Sequence, residues 1–144
     1  MITESPFYFG WKFGTLGDMA NKHSCQALAI HCIDFRFQRF LNDYLEGRFA
    51  GSYDRVALAG GVKNLPSEQC EVSVRLHSPK TIVLIQHEDC GAYGGSKQFA
   101  DLEAEKAFQT QELQKAAKVL QEKFPGCAVE GYVMGLLGDL TSVL

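Results

Sequence analysis

Residues 81–91 read TIVLIQHEDCG, an apolar, β-branched run that ends in a histidine, with a cysteine three positions further on and a glycine directly after it. A run of this kind, apolar at successive positions rather than alternating, is the pattern of a strand buried on both faces, and such strands belong to parallel sheets covered by helices. Three other segments share it: CQALAIHC (25–32), RVALAG (55–60) and AVEGYVMGLL (128–137). Four parallel strands are expected, and parallel neighbours need crossover connections.

The intervening segments supply those crossovers. In FRFQRFLNDYLEGRF (35–49), Phe37, Phe40, Leu41, Tyr44 and Leu45 recur at helical spacing and form one apolar stripe. SEQCEVSVRLHS (67–78) is ambiguous, because Val72, Val74 and Leu76 alternate as in a strand. It reads as a helix because no other segment can connect the second strand to the third. Beyond the third strand a long helical stretch, with Ser96 as its expected cap, places Leu113, Ala116, Ala117 and Leu120 on one face. Pro125 and Gly126 stop it, and it is either one helix or two broken near Thr110. The expected fold class is therefore α/β, a single domain over residues 1–144 with a central, mainly parallel β-sheet of about four strands flanked by helices and residues 1–24 as an N-terminal arm.

Composition bounds the function. The chain has 144 residues, 46% hydrophobic and 22% charged, as a globular domain with a proper core requires. No apolar run approaches the roughly 20 residues that span a bilayer, so no membrane role is expected. The first residues lack a basic start followed by an apolar block, which makes the cytoplasm the expected compartment. A net charge of -3 offers no basic stripe for nucleic acid, leaving a small molecule or a protein as partner. Five cysteines without the density of a disulfide scaffold are, in a reducing compartment, core, metal-binding or reactive residues.

Chemistry in open parallel sheets gathers beyond the carboxyl ends of the strands. HEDCG occupies that place on the third strand, and HCIDFRF (31–37) occupies it on the first. If the two strands are neighbours, Cys32, His87 and Cys90 converge, with Asp34 and Arg36 in the same layer. Thiolate and imidazole are preferred zinc ligands, and three protein ligands with an open fourth position mark a catalytic rather than a structural site. His31 should face away from Cys32, while His23 and His77 read as solvated surface residues. Cys25, Cys70 and Cys127 read as core. Glu88 and Asp89 read as solvent-facing or helix-dipole residues rather than ligands, and Gly91, Gly94 and Gly95 as the turn around the metal. Phe35 and Tyr93 either wall a pocket or belong to core or interface.

CIDFR (32–36) followed by HEDCG (87–91) resembles the CxDxR and HxxC motifs of the β-class carbonic anhydrases. The likeness extends through VALAGGVKN (56–64) and VEGYVMGLLGDL (129–140), covering residues 25–140 in the same order. It implies that Cys32, His87 and Cys90 are zinc ligands and that Asp34 and Arg36 form the catalytic dyad. The implied reaction is the interconversion of CO2 and bicarbonate through a zinc-bound hydroxide. A homodimer or larger homo-oligomer is also implied, with the aromatic FYFGWKF (7–13) suited to an interface. Two departures stand out: Phe35 occupies the middle of CxDxR, where a small polar residue is commoner, and LAGG (58–61) replaces the usual second strand end. A related hydrolase of carbonyl sulfide or carbon disulfide would carry the same motifs, as would a zinc-binding protein without turnover. A thiol redox enzyme using Cys32 and Cys90 fits less well, since neither lies in a CxxC.

Overall fold

The computed structural model describes residues 15–144. In chain order these form α1 (Leu16–Ala20), β1 (Ala27–Cys32), α2 (Gln38–Phe49), β2 (Tyr53–Leu58), α3 (Glu68–His77), β3 (Thr81–His87), α4 (Leu102–Lys123), β4 (Ala128–Met134) and β5 (Leu140–Ser142). Short 3-10 turns follow β1, β2 and β3. The sheet order is β2-β1-β3-β4-β5, parallel throughout except for β5, which runs antiparallel to β4.

β1 and β3 are the central pair, and this is why their sequences carry no polar alternation: every residue of β1, and of β3 after Thr81, is buried. One face presents Leu28, Ile30, Ile82 and Leu84 to Cys70 of α3 and to Leu113, Ala117 and Leu120 of α4. The other presents Ala27, Ala29, Val83 and Ile85 to Phe37 and to Leu41, Leu45 and Phe49 of α2. Small residues on the second face let α2 come close, and its large side chains fill the space.

The segment 67–78 is helical, as the crossover argument requires. Its alternating Val72 and Leu76 are exposed, and the side chains it buries are Cys70 and Ser73. β5 is a fifth strand beyond the four expected. The last parallel strand accordingly ends at Met134 rather than residue 137, where Gly135 to Gly138 turn the chain back. Gly138 has φ +86, and a Cβ there would collide with the ring of Phe40. β2 lies two residues earlier than expected.

α4 is one unbroken helix, capped by Asp101, whose carboxylate accepts the Ala104 N–H at 2.8 Å. Ser96 does not cap it; it lies in a separate 3-10 turn. Cys70 is fully buried and Cys127, half-buried, packs against the same core as expected, whereas half-buried Cys25 lies outside it. Among the described residues, no helix is long and apolar enough to cross a membrane. The expected arm is described only from residue 15, where α1 exposes Leu16 and Met19; FYFGWKF (7–13) lies outside the described residues.

Candidate metal centre

Because β1 and β3 are hydrogen-bonded neighbours, their carboxyl ends bring Cys32 and His87 side by side. The loop after β3 then reverses through Asp89, a left-handed residue at φ 55, and returns Cys90 to the same spot. All three side chains are buried, and their ligand atoms lie within 4.8 Å of one another. The two sulfurs are 3.9 Å apart. Two thiolates about 2.3 Å from a tetrahedral zinc stand about 3.8 Å apart, so the spacing fits that ion.

The histidine offers a free ring nitrogen to the same spot. Its Nδ1–H donates to the Glu88 carbonyl at 2.6 Å, which fixes the tautomer and leaves the Nε2 lone pair free. That Nε2 is buried and has no partner. An orphaned buried acceptor costs about 1–3 kcal/mol, which a bound cation would offset. The two thiols are coupled: the hydrogen bond between them favours the Cys32 thiolate, lowering its pKa, and pushes that of Cys90 up.

Asp34 and Arg36 flank this cluster. The Asp34 carboxylate caps the turn 35–37 through the Arg36 N–H at 3.0 Å and accepts from Arg36 Nε and Nη2, the latter at 2.7 Å. Its Oδ2 stands 4.0 Å from His87 Nε2, facing the cluster without touching it. The Arg36 guanidinium holds its pKa below the usual carboxylate value. Arg36 also reaches across the site, donating from Nη1 to Asp89 Oδ2 and from Nη2 to the Asp89 carbonyl, both at 2.9 Å.

The sequence reading missed this use of Asp89, which is neither merely solvent-facing nor a dipole residue. Its Oδ1 accepts the Ser96 N–H at 2.9 Å, and that bond, followed by Arg36, keeps its carboxyl ionised at lower pH than usual. Its own N–H donates at 2.6 Å to Glu105, which also accepts the Ser96 hydroxyl at 2.7 Å. Glu105 and Gln109 are both 1% exposed. Their signal was present: they sit eight and four residues before Leu113, on the buried stripe of α4.

Further polar residues hold the site from behind. His31 points away from the cluster as expected; its Nε2 accepts from Arg55 Nε at 2.7 Å, so Nδ1–H donates to the Cys32 carbonyl at 2.8 Å. Gln38 donates to the carbonyls of Cys32 and Asp34. Gln86 Oε1 accepts the Val62 N–H at 3.1 Å, and its amide donates to Gln109. Of the two remaining histidines, His23 is exposed, whereas His77 pairs with Asp54 at 2.7 Å.

Cys32 of the cluster lines a cleft of about 1130 Å³, together with Asp34, Arg36, Ile33, Phe35, Ala59, Ala92, Lys97 and Gln98. Phe35 is part of that lining and largely exposed; Tyr93 is turned aside, packed edge-on against Phe108. Gly94 and Gly95 adopt left-handed φ values, as the turn requires, and Gly91 does not.

Residues 22–143 match the model of a family described as "Putative carbonic anhydrase". An uncharacterized protein of Rickettsia conorii is 29% identical over 146 residues, covering 88% of this chain and 78% of its own length. Among solved structures, a carbonic anhydrase from Glaciozyma antarctica superposes with a TM-score of 0.59 at 16% identity, covering 89% of each chain. A Coccomyxa β-carbonic anhydrase in complex with acetazolamide gives a TM-score of 0.59 at 15% identity, over 89% of this chain and 76% of the other.

Proposed function

The chain belongs to the Putative carbonic anhydrase family, and from that premise we propose that it is a zinc-dependent carbonic anhydrase interconverting CO2 and bicarbonate. The observation that carries this reading is the buried, unpartnered Nε2 of His87, which lies within 4.8 Å of two cysteine sulfurs that are themselves 3.9 Å apart, beside a cleft lined by Cys32 and Asp34. Cys32, His87 and Cys90 would hold the ion, leaving the fourth position to the cleft. When bound, zinc supplies Lewis acidity that lowers the pKa of water from about 15.7 to near 7.

The remaining steps fall to the chain's own residues. Asp34, ionised and turned toward the cluster, accepts a hydrogen bond from the attacking water and orients its lone pair at the substrate. Arg36 binds the same carboxylate in a fork, which keeps Asp34 anionic and off the metal position. The side chains of Ile33, Phe35, Ala59 and Ala92 offer an apolar wall to an uncharged, linear triatomic, and Lys97, which lines the same cleft, favours an anionic product. His31 and Gln38 fix the carbonyls of the β1 loop, so that Cys32 and Asp34 keep their separation.

A homo-oligomer is part of the proposal. Ile33 and Phe35, which line the cleft beyond β1, and Leu136 and Leu137, which follow β4, are exposed apolar residues. A second copy covering them would complete the site and remove the patch from water. Elemental analysis of the purified chain, followed on the same sample by hydration assays with CO2 and with carbonyl sulfide, tests the function. Stoichiometric zinc with CO2 turnover supports it; zinc without CO2 turnover contradicts it.

A further inference from the structure

Arg36 and Asp34 are two residues apart on one turn, so their ion pair by itself can move as a unit and gives the carboxylate no fixed position relative to the metal ligands. Beyond Asp34, the side-chain hydrogen bonds of Arg36 both go to Asp89, which stands between His87 and Cys90. Asp89 is itself fixed to the far side of the sheet, because its N–H is bonded to Glu105 of α4 and its Oδ1 to the Ser96 N–H. Glu105 is a nearly fully buried carboxylate that makes no ion pair among the described residues and spends both oxygens on this loop. Burying such a group is costly, and the left-handed backbone of Asp89 adds to the cost.

We propose that Asp89, braced by Glu105, is a positioning residue that locks Arg36 in place and so holds the Asp34 carboxylate beside the metal site but off its fourth position. The inference rests on the zinc reading above. The Glu105–Asp89–Arg36 chain sets the balance between an open site, in which Asp34 faces Arg36, and a closed one, in which Asp34 takes the metal's fourth position.

The test uses Asp89→Asn, which tolerates the left-handed backbone and keeps an acceptor for Ser96 while turning an amide N–H2 toward Arg36. Loss of one charge-assisted hydrogen bond shifts such a balance by about tenfold. The readout is azide binding to the Co(II)-substituted protein, followed by its visible spectrum rather than by turnover. In the Asp89→Asn protein azide affinity should fall about tenfold, because Asp34 now competes for the fourth position. In an Asp34→Ala background the same substitution should cause no loss, since there is nothing left to compete; this cycle separates positioning from general damage. Glu105→Gln should give a smaller loss with the same dependence on Asp34. Equal losses with and without Asp34, or no loss in either, would overturn the proposal. Failure of Co(II) to give a thiolate charge-transfer band would overturn the metal reading, and this inference with it.

Discussion

Gly61 lies directly against Gln86: its φ is +59, and a Cβ on it would collide with Gln86 Oε1, the atom that accepts the Val62 N–H at 3.1 Å. Only glycine permits this contact, which ties the turn after β2 to the buried end of β3. Gly61→Ala should therefore lose both the backbone conformation and the hydrogen bond, at a cost of about 2–3 kcal/mol. Urea unfolding checks it, and a change below about 0.5 kcal/mol, the level of an ordinary surface substitution, would contradict it.

The Arg48–Glu130 pair joins α2 to β4 through two hydrogen bonds, at 2.6 and 2.8 Å. Arg48 is the main cause of a Glu130 carboxyl pKa below its ordinary 4.5. A depressed acid contributes stability above its unfolded pKa and loses it as pH falls through the folded value. Glu130→Gln should thus cost about 1 kcal/mol at pH 7. The gap from the unsubstituted protein should close below pH 4.5, as measured by thermal unfolding across pH. A gap independent of pH would show that the pair contributes through packing alone.

How far the sequence could be read depended on which forces shaped each part. β1 and β3 were legible because a strand covered on both faces cannot afford polar alternation, and the chemistry-bearing residues Cys32, His87 and Cys90 stand just where those runs end. β5 was not legible, since three residues on an exposed edge carry no periodicity. Ser96 and Asp101 are both good capping residues; only the tertiary bond of the Ser96 hydroxyl to Glu105 decides between them. The place of Glu105 on the buried stripe of α4 was readable, but its contact with Asp89 was not, because the two meet through a loop whose path no local pattern encodes.

Removal of a single ligand should release the metal. Cys90→Ala leaves one thiolate and one imidazole, too few for a closed set, and zinc content after dialysis should drop from stoichiometric to near zero. The fold should persist, since Cys90 lies beyond the strand end. Retention of tight zinc by this variant would show that the ion sits elsewhere.

Arg36→Ala separates binding from turnover. It leaves Cys32, His87 and Cys90 untouched but frees the Asp34 carboxylate, 4.0 Å from His87 Nε2. Zinc content should stay stoichiometric while hydration slows by about a hundredfold or more, the usual scale for a lost proton-handling group. A variant that loses zinc along with activity would assign Arg36 a structural role instead.

The most direct test of the enzyme reading is stopped-flow CO2 hydration by the purified, zinc-loaded chain from pH 6 to 9. The account predicts catalysis that rises with pH through neutrality, as a water activated by zinc must lose a proton. A trace no faster than the uncatalysed reaction at every pH, from protein carrying stoichiometric zinc, would contradict it.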